Sequence, residues 1–339
     1  MSETVITGWA AKTAGGVLEP YEYDPGPLGD DEVEIGVDSC GLCHSDVSIL
    51  HNDWGVSRYP VIPGHEVVGR IERVGEAVTH LGVGRLVGLG WFARSCAHCG
   101  DCMRGDHNLC PSRQDTIIGR HGGFADRVRC AAHWAVPLPE GLDPATAGPM
   151  FCGGITVFNP IVRCGVRPTD RVGVVGIGGL GHLALQFLSK WGCEVTAFTS
   201  TDAKAQEARD LGAHHVVNSR DESALKSAEG SLDFLLSTVN VPLDWDALFG
   251  VLRRGGRFHN VGAVTDPIPV RAIPTMLNEW SFSGTPLGSP ATCATMLEFA
   301  ARHGIGPRCE IYPMSRVNEA VESLRTGRPR YRIVLQREG

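Results

Sequence analysis

Hydrophobic and polar positions follow two different patterns along the chain. Residues 1–150 contain short alternating runs such as EVEIGVD and RVRCAAHWAV, which are typical of half-buried β-strands. From residue 151 to 284, short apolar runs such as CEVTAFTST, HHVVNS, LDFLLSTV, GRFHNVGA and WSFSGT alternate with helical stretches. This alternation predicts a doubly wound parallel sheet with helices on its faces. The segment 285–339, ending RYRIVLQ, has no partner sheet of its own, so we expect it to return to the first domain.

A glycine motif follows the first strand of the second pattern. Val172–Val175 is a short β-branched run, and Gly176, Gly178 and Gly181 come after it as Gly-x-Gly-x-x-Gly, before a helical pattern. Between a strand and a helix, such glycines let the backbone approach a dinucleotide pyrophosphate at the positive end of the helix. The motif therefore predicts a dinucleotide site, which also includes Gly179 and Leu180 inside the turn.

The end of the next strand predicts which dinucleotide is bound. An NAD enzyme usually carries Asp or Glu there, to bind the ribose hydroxyls. This chain has Thr199, Ser200 and Thr201, with Lys204 just beyond. Hydroxyls and a lysine suit a 2′-phosphate, which a carboxylate would repel. NADP(H) is therefore favoured over NAD, and Asp202 is the residue that argues against it.

Length, charge and composition exclude several classes of protein. A chain of 339 residues is long for one hydrophobic core, so two domains are expected. A net charge of -7 argues against a nucleic-acid partner. No apolar run is long enough to span a membrane, and no basic segment followed by an apolar stretch opens the sequence. We expect a cytoplasmic protein without a membrane or nucleic-acid partner, in which clustered cysteines bind metal or catalyse rather than form disulfides.

Four cysteines lie within CAHCGDCMRGDHNLC, at Cys96, Cys99, Cys102 and Cys110. Gaps of two, two and seven residues let one loop surround a single ion, which predicts a structural zinc site. An iron–sulfur cluster and two disulfides remain alternatives, although the last gap differs from the ferredoxin spacing. Four thiolates leave no open coordination position, so this site holds a loop and catalyses nothing.

A second set of possible metal ligands is dispersed along the chain. Cys43, His65 and Cys152 would supply two thiolates and an imidazole, leaving the fourth position of a tetrahedral zinc for water or substrate. That is the arrangement of a catalytic site. Asp46 and Glu66 would then be carboxylates around the ligands, with Asp46 orienting the His65 ring. Alternatively, Cys152 is a small core residue and the two acids are solvated or capping groups.

These motifs together give a more specific result than any one of them. From CGLCHSD through GHE, the four-cysteine loop, CGGIT and GIGGLG to RYRIV, the chain resembles the zinc-dependent medium-chain alcohol dehydrogenases. Within that family it resembles the cinnamyl-alcohol-dehydrogenase branch, and most closely the bacterial NADPH-dependent aldehyde reductases of broad substrate range. The resemblance covers essentially the whole length. It implies an α/β protein with a GroES-like, mostly-β catalytic domain over 1–150 that holds both zinc sites, and a Rossmann domain over 151–284.

The resemblance implies a proton path and a substrate pocket. Ser45 matches the hydroxyl that relays the alcohol proton. Many relatives have a histidine five residues after the first zinc cysteine, but Ser48 stands there. His51, three residues on, is our candidate for the exit of the proton, and water is the alternative. Trp54 and Trp91 match pocket-lining aromatics, although core tryptophans would look the same in a sequence.

The resemblance also implies contacts with the cofactor. His44 matches a basic residue near the phosphates, and Arg332 matches an arginine that reaches the pyrophosphate. Thr156 is expected against the nicotinamide, with backbone contacts to its carboxamide from Val261 and Ala263. The remaining expected cofactor contacts are Thr238 and Ser283.

The function predicted from the sequence is the zinc-dependent reduction of aldehydes to primary alcohols with NADPH, in a reversible reaction. The substrates are small aliphatic or aromatic aldehydes or alcohols, each chain binds two zinc ions, and the protein is expected to be a homodimer. A polyol or secondary-alcohol dehydrogenase is one alternative, although its third zinc ligand would commonly be acidic where Cys152 stands. A zinc-free quinone or enoyl reductase would lack the ligand set. A non-enzymatic zinc-stabilised binding module would explain only the four-cysteine loop.

Overall fold

The computed structural model describes residues 5–338, so residues 1–4 and residue 339 lie outside it. The chain divides into two compact units. The first unit runs up to Ile155 and resumes at Leu287, and the second spans Thr156–Pro286. Every helix in the described residues is too short or too polar to cross a lipid bilayer.

The first unit is built around a seven-stranded sheet that is antiparallel except for one parallel pair. Its longest strand, β3, is apolar and buried along nearly its whole length, as expected for a strand paired on both sides and covered on both faces. The last strand, β17, pairs with β3, which brings the end of the chain into this sheet. The strands are β3 (Glu32–Leu42), β4 (Val67–Val74), β5 (Leu86–Leu89), β8 (Arg127–Ala131), β9 (Val136–Pro137), β16 (Cys309–Pro313) and β17 (Arg332–Gln336).

Smaller elements of the first unit surround this sheet. Two antiparallel pairs are formed by β1 (Ile6–Ala10) with β2 (Glu19–Tyr23), and by β6 (Phe92–Arg94) with β7 (Gln114–Asp115). The helices are α1 (His44–His51), α2 (Gly100–Met103), α9 (Pro290–His303) and α10 (Val317–Arg325), and short 3-10 turns occur at His107–Leu109, Ala132–Trp134, Gly148–Phe151 and Met314–Arg316. Helix α1 begins directly after β3, which places the first candidate zinc ligand, Cys43, at the junction.

The second unit is a six-stranded sheet in which every pair is parallel. From the central strand β10 the chain moves outward through β11 to β12, and then returns to the other side of β10. This reversal of direction between β10 and β13 is where doubly wound folds bind ligands. The strands are β10 (Arg171–Val175), β11 (Glu194–Thr199), β12 (His215–Asn218), β13 (Leu232–Ser237), β14 (Leu252–Asn260) and β15 (Ser281–Gly284).

The connections between these strands are helical, as right-handed parallel crossovers require. They are α4 (Gly181–Trp191), the 3-10 turn Asp202–Lys204 with α5 (Ala205–Asp210), α6 (Glu222–Ser227), α7 (Trp245–Gly250) and α8 (Ala272–Asn278), while α3 (Gly153–Arg163) precedes β10. Every run that the sequence pattern marked as a strand in this region forms one. The predicted doubly wound parallel sheet is therefore confirmed.

Candidate active site and metal centres

A buried cluster in the first unit combines four side chains able to bind a metal. One ligand atom from each of Cys43, His65, Glu66 and Cys152 lies within 4.8 Å of the others, and all four residues are buried. The sulfurs of Cys43 and Cys152 are 4.0 Å apart, and His65 Nε2 is 3.2 Å from the Cys152 sulfur. Zinc–sulfur bonds of about 2.3 Å at tetrahedral angles place two sulfurs about 3.8 Å apart. The buried cluster therefore fits a zinc ion.

Local structure explains how the buried cluster is assembled. Cys43 lies between the end of β3 and the first residue of α1, and His65 and Glu66 directly precede β4, the neighbour of β3. Cys152 follows the 3-10 turn Gly148–Phe151. No residue larger than glycine fits at position 148, because a Cβ on Gly148 would lie 2.5 Å from the carbonyl oxygen of Glu66. This close approach lets the turn bring Cys152 against the other ligands.

Asp46 fixes the orientation of the imidazole. Its Oδ1 lies 2.9 Å from Nδ1 of His65, and accepts a further hydrogen bond from the backbone N–H of Gly64 at 2.9 Å. Its Oδ2 accepts from the backbone N–H of Cys43, also at 2.9 Å. With Nδ1 donating to the carboxylate, Nε2 keeps its lone pair toward the sulfur of Cys152, which is the tautomer that a metal ligand needs.

Glu66 and Arg332 form a buried ion pair beside the same cluster. Arg332, at the start of β17, donates from Nη2 to Oε1 of Glu66, and the two residues are 4% and 0% exposed. Burial raises the pKa of Glu66 to about 7, and the guanidinium of Arg332 opposes that shift. Arg332 was expected at a cofactor pyrophosphate; the structure pairs it with Glu66. The carboxylate of Glu66, expected outside the ligand set, lies among the possible ligand atoms.

The same environment favours a thiolate at Cys43. A hydrogen bond from the Cys152 thiol, reinforced by the charge of Arg332 and opposed by burial, holds the pKa of Cys43 well below its usual range. A thiolate is the form that binds metal. The cationic Arg332 thus compensates part of the negative charge that two thiolates and a carboxylate would bring into a buried site.

The residues of the expected proton path lie on α1. The Ser45 hydroxyl is 3.8 Å from the sulfur of Cys43, at the edge of the buried cluster. His44 is exposed at the start of the helix and His51 is exposed at its end. Within residues 5–338, no hydrogen bond joins Ser45 to His51 or to Ser48. Ser45 is therefore placed near the metal ligands, whereas a direct link to His51 is not formed.

The two tryptophans lie together beside the histidine of the cluster. The rings of Trp91 and His65 meet edge-on, with centroids 4.8 Å apart, and Trp54 meets Trp91 edge-on at 5.9 Å. Trp54 is 37% exposed, so it is not a core residue. Trp91 also lines an open cavity of about 300 Å³ in the first unit. Phe92, Trp134 and Phe151 are among the other residues that line this cavity.

The four-cysteine loop forms a second possible metal centre. The sulfurs of Cys96, Cys99, Cys102 and Cys110 all lie within 4.8 Å of one another, and those of Cys96 and Cys102 are 3.9 Å apart. Backbone N–H groups point at the sulfurs, from Cys99 to Cys96 at 3.3 Å and from Cys96 to Cys110 at 3.4 Å. N–H donors from His98 and Cys99 lower the pKa of Cys96 to about 6. This arrangement fits four thiolates around one zinc ion.

The disulfide alternative for this loop is wrong. All twelve cysteines of the chain lie in the described part, and all are free thiols. Two residues of the four-cysteine loop have a left-handed backbone conformation and let the loop turn. They are Gly105, with a φ of 87°, and Ala97, with a φ of 61°.

In the second unit, the glycine turn between β10 and α4 has the shape of a phosphate cradle. A Cβ at Gly181 would lie 1.9 Å from the carbonyl oxygen of Gly176, and one at Gly176 would lie 2.4 Å from Val239. A Cβ at Gly178 would meet nothing within 4 Å, so this residue borders open space. Two glycines are therefore required by the fold, and the third keeps clear the space that a pyrophosphate would fill. The Thr238 hydroxyl closes the turn, 2.8 Å from the Gly176 carbonyl oxygen.

The loop after β11 has the residues expected to recognise the ribose. Thr199 is buried and uses its hydroxyl to donate to the carbonyl of Thr201 at 2.8 Å, whereas Ser200 and Thr201 are exposed. Lys204 donates from Nζ to the carbonyl of Ile177, in the glycine turn, at 3.2 Å. This contact joins the ribose loop to the phosphate cradle.

Comparison with known proteins identifies the family. The model of the alcohol dehydrogenase GroES-like domain matches residues 29–140, and that of the zinc-binding dehydrogenases matches residues 179–302. The chain is 52% identical over 331 residues to the aldehyde reductase AdhA of Synechocystis, covering 98% of each protein. It belongs to the zinc-dependent medium-chain alcohol dehydrogenases.

Solved structures agree with this assignment. The dehydrogenase superposes on a cinnamyl alcohol dehydrogenase of Sorghum bicolor with a TM-score of 0.94 and 36% identity, covering 98% of both chains. It superposes on the cinnamyl alcohol dehydrogenase of Helicobacter pylori complexed with NADP(H) with a TM-score of 0.89, 26% identity and the same coverage. The GroES-like and Rossmann-like fold and the zinc-dependent aldehyde or alcohol oxidoreductase activity predicted from the sequence are confirmed. The interpretation as a non-enzymatic binding module is wrong.

The remaining expected cofactor residues of the dehydrogenase lie in its second unit. Thr156 is 8% exposed, and Val261 and Ala263 follow β14, with the Val261 N–H bonded to the Ser237 carbonyl at 2.9 Å. Ser283 lies on β15 and its hydroxyl is 2.9 Å from Nδ1 of His259.

Two polar residues on strands of the parallel sheet, His259 and Asn218, were not predicted from the sequence as part of the site. His259 is fully buried in β14, with Nε2 3.1 Å from the Thr285 hydroxyl, and burial lowers its pKa to about 4. Asn218 ends β12 and donates to Oδ1 of Asp202 at 3.2 Å. The only signal in the sequence is a polar residue within an apolar strand run, which does not reveal the partner.

Proposed function

We propose that this dehydrogenase reduces aldehydes to primary alcohols with NADPH at the buried cluster of Cys43, His65, Glu66 and Cys152. The observation that supports this most directly is the combination of two thiols and an oriented imidazole with a serine hydroxyl 3.8 Å from one sulfur. Cys43, His65 and Cys152 would hold the ion, and a zinc ion there supplies Lewis-acid polarisation of a carbonyl. The four-cysteine loop would hold a second, structural zinc.

The protein groups have separate tasks in this proposal. Asp46 keeps the imidazole of His65 in the ligating tautomer, and Arg332 balances the charge of the buried Glu66 carboxylate. Ser45 gives its hydroxyl proton to the oxygen of the product and takes it back in alcohol oxidation. His51, exposed at the end of α1, connects Ser45 with solvent through intervening water, because no direct hydrogen bond with Ser45 is formed within residues 5–338. It returns a proton from solvent to Ser45 during aldehyde reduction and releases one to solvent during alcohol oxidation.

The aromatic surroundings support a broad range of aldehydes. Trp91 packs against His65, and Trp54 packs against Trp91. The two rings give the site an apolar wall, because the face of an indole ring carries no hydrogen-bonding group. An apolar wall makes few directional contacts, so it accepts aldehydes with either aliphatic or aromatic substituents.

Preference for NADP(H) is supported by the loop after β11. Ser200 and Thr201 offer exposed hydroxyls, Lys204 supplies a cation, and the carboxylate of Asp202 is bonded to Asn218. His44, Thr156, Thr238, Val261, Ala263 and Ser283 stay as proposed cofactor contacts. The proposed function is tested by following the oxidation of NADPH and of NADH with a panel of aliphatic and aromatic aldehydes. Faster turnover with NADPH across the panel supports the proposal, and a preference for NADH contradicts it.

The homodimer we propose is supported by one edge of the parallel sheet. Strand β15 ends that sheet, and large apolar side chains near it are strongly exposed, at 67% for Ile273, 69% for Met276 and 68% for Leu277. A second copy of the chain could extend the sheet and cover these side chains. A reducing location such as the cytoplasm is supported by the twelve free cysteines. Met276→Glu should convert the dimer to a monomer in light scattering, and a wild-type monomer would contradict this assembly.

A further inference from the structure

A second loop lies next to the ribose loop at the edge of the parallel sheet. Strands β11 and β12 are parallel neighbours, and their last residues, Thr199 and Asn218, are paired in register. The residues after them therefore leave the sheet side by side. Ser219 holds the two loops together, because its backbone N–H and its hydroxyl both donate to the Thr199 carbonyl, at 2.7 and 3.0 Å.

This second loop restrains the one acidic residue of the ribose loop. The side-chain amide of Asn218 donates to Oδ1 of Asp202 at 3.2 Å, while its own oxygen accepts the backbone N–H of Arg220 at 3.0 Å. A free carboxylate at the end of β11 favours a ribose with two hydroxyls and repels a phosphate. The bond to Asn218 holds the Asp202 carboxylate toward β12 and so fixes its direction.

The same loop places an unpaired cation at this edge. Arg220 is exposed, and its guanidinium makes no ion pair with any acid among residues 5–338. The carboxylate of its neighbour Asp221 is occupied at the start of α6, where it accepts from the backbone N–H and the hydroxyl of Ser223 at 2.9 and 2.8 Å. Arg220 is therefore available for an anion. A guanidinium can bind two oxygens of one phosphate in a bidentate manner, which an ammonium cannot.

We propose that Arg220 is a specificity-determining residue that binds the 2′-phosphate of NADP(H) together with Lys204, and that Asn218 assists by restraining Asp202. This inference rests on the proposed use of NADP(H). It assigns the choice between NADP(H) and NAD(H) to both loops, so the cofactor preference depends on residues after β12 as well as on those after β11.

Equilibrium binding to the purified zinc-loaded enzyme tests the inference without relying on turnover. Dissociation constants are measured by calorimetry for NADPH and 2′,5′-ADP, which carry the phosphate, and for NADH and 5′-AMP, which lack it. Arg220→Gln should weaken NADPH and 2′,5′-ADP by about tenfold, the scale of one lost charge-assisted contact. Binding of NADH and 5′-AMP should stay within about twofold. The matched control is Arg209→Gln, which changes an exposed arginine on α5 and should alter none of the four constants.

A second pair of variants tests the role of Asn218. Asn218→Leu should weaken 2′,5′-ADP by about threefold, because the charge of Asp202 is no longer restrained. Adding Asp202→Asn to Asn218→Leu should restore the affinity, since the charge is then absent. A loss that persists in the double variant would contradict this role.

The outcomes separate the inference from the proposed cofactor preference. Unchanged 2′,5′-ADP binding in Arg220→Gln, in an enzyme that prefers NADPH, overturns the inference alone. An equal loss for NADPH and NADH also overturns it, since the effect would not come from the 2′-phosphate. Equal affinity of the wild-type enzyme for the two cofactors overturns both.

Discussion

Asp46 and His65 are joined by a fully buried hydrogen bond of 2.9 Å between a carboxylate oxygen and Nδ1. The same carboxylate accepts backbone N–H groups from Cys43 and Gly64, at 2.9 Å each. One side chain therefore fixes a thiol, an imidazole and the loop between them. The geometry of the buried cluster depends on Asp46 although this residue is not itself a metal ligand.

Removing the Asp46 carboxylate should weaken zinc binding at the buried cluster more than it destabilises the fold. Asp46→Asn should lower zinc affinity at the buried cluster by about 10–100-fold, because the imidazole loses its charged partner. Competition with a chelator, followed by metal analysis, measures the change. Asp53→Asn, on an exposed residue just after α1, is the control and should release zinc at the wild-type rate. Equal zinc retention in the two variants would contradict the role of Asp46.

The four-cysteine loop should affect stability rather than the chemical step. Cys102→Ser removes one of four thiolates from a site whose binding energy contributes to folding. We expect a lower midpoint of thermal unfolding and a lower soluble yield, with kcat per folded, zinc-loaded active site nearly unchanged. Differential scanning calorimetry and active-site titration measure the two quantities. A large loss of kcat at unchanged stability would assign this loop a catalytic role instead.

Loss of the Ser45 hydroxyl should slow turnover directly. Ser45→Ala should lower kcat by about 10²-fold, the scale of a lost positioned proton donor. Ser48→Ala, three positions before the exposed end of α1 and without a hydrogen bond to Ser45 in the described residues, is the control and should be nearly silent. A Ser45→Ala enzyme with wild-type kcat would show that another group supplies the proton.

Exit of the proton can be tested separately at His51. His51→Gln should reduce alcohol oxidation near neutral pH, and the loss should be relieved at high pH, where solvent accepts the proton readily. The pH–rate profile of alcohol oxidation measures this. A profile identical to that of the wild-type enzyme would leave water as the carrier from Ser45 to solvent.

The buried His259 should make the protein less stable in acid. Burial, assisted by the charge of Arg257, lowers its pKa from 6.5 to about 4. His259 binds a proton more tightly in the unfolded chain than in the folded protein. Its contribution to the free energy of unfolding is therefore fully present above pH 6.5 and is lost as the pH decreases toward 4, by up to about 3 kcal/mol. In urea titrations, His259→Gln should show a smaller decrease over this interval than the wild type. His215→Gln, on an exposed histidine, should show the full decrease.

The elements of the fold were predictable because they are encoded locally. The runs around β10, β11 and β13 are apolar, β-branched and bounded by turns, as strands buried in a parallel sheet must be. The glycine turn was predictable for a similar reason, since Gly176 and Gly181 meet steric limits set within a few residues.

The partners of these polar side chains were not predictable, because topology rather than local sequence brings them together. Glu66 and Arg332 are 266 positions apart and meet only because β17 joins the sheet of the first unit. Asn218 meets Asp202 through the pairing of β11 with β12, and His259 meets Ser283 through the pairing of β14 with β15. No periodic pattern in the chain specifies such pairs.

The most direct test of the proposed function combines zinc content with NADPH-dependent aldehyde reduction in one variant. Cys43→Ser removes a ligand from the buried cluster, and Cys164→Ser changes a partly exposed thiol of the second unit as a control. We predict two zinc ions per chain and full turnover in the wild type and in Cys164→Ser. Cys43→Ser should keep one zinc ion and a wild-type unfolding midpoint but lose turnover. Undiminished turnover in Cys43→Ser, or full activity in wild-type enzyme with one zinc ion or none, would contradict the proposal.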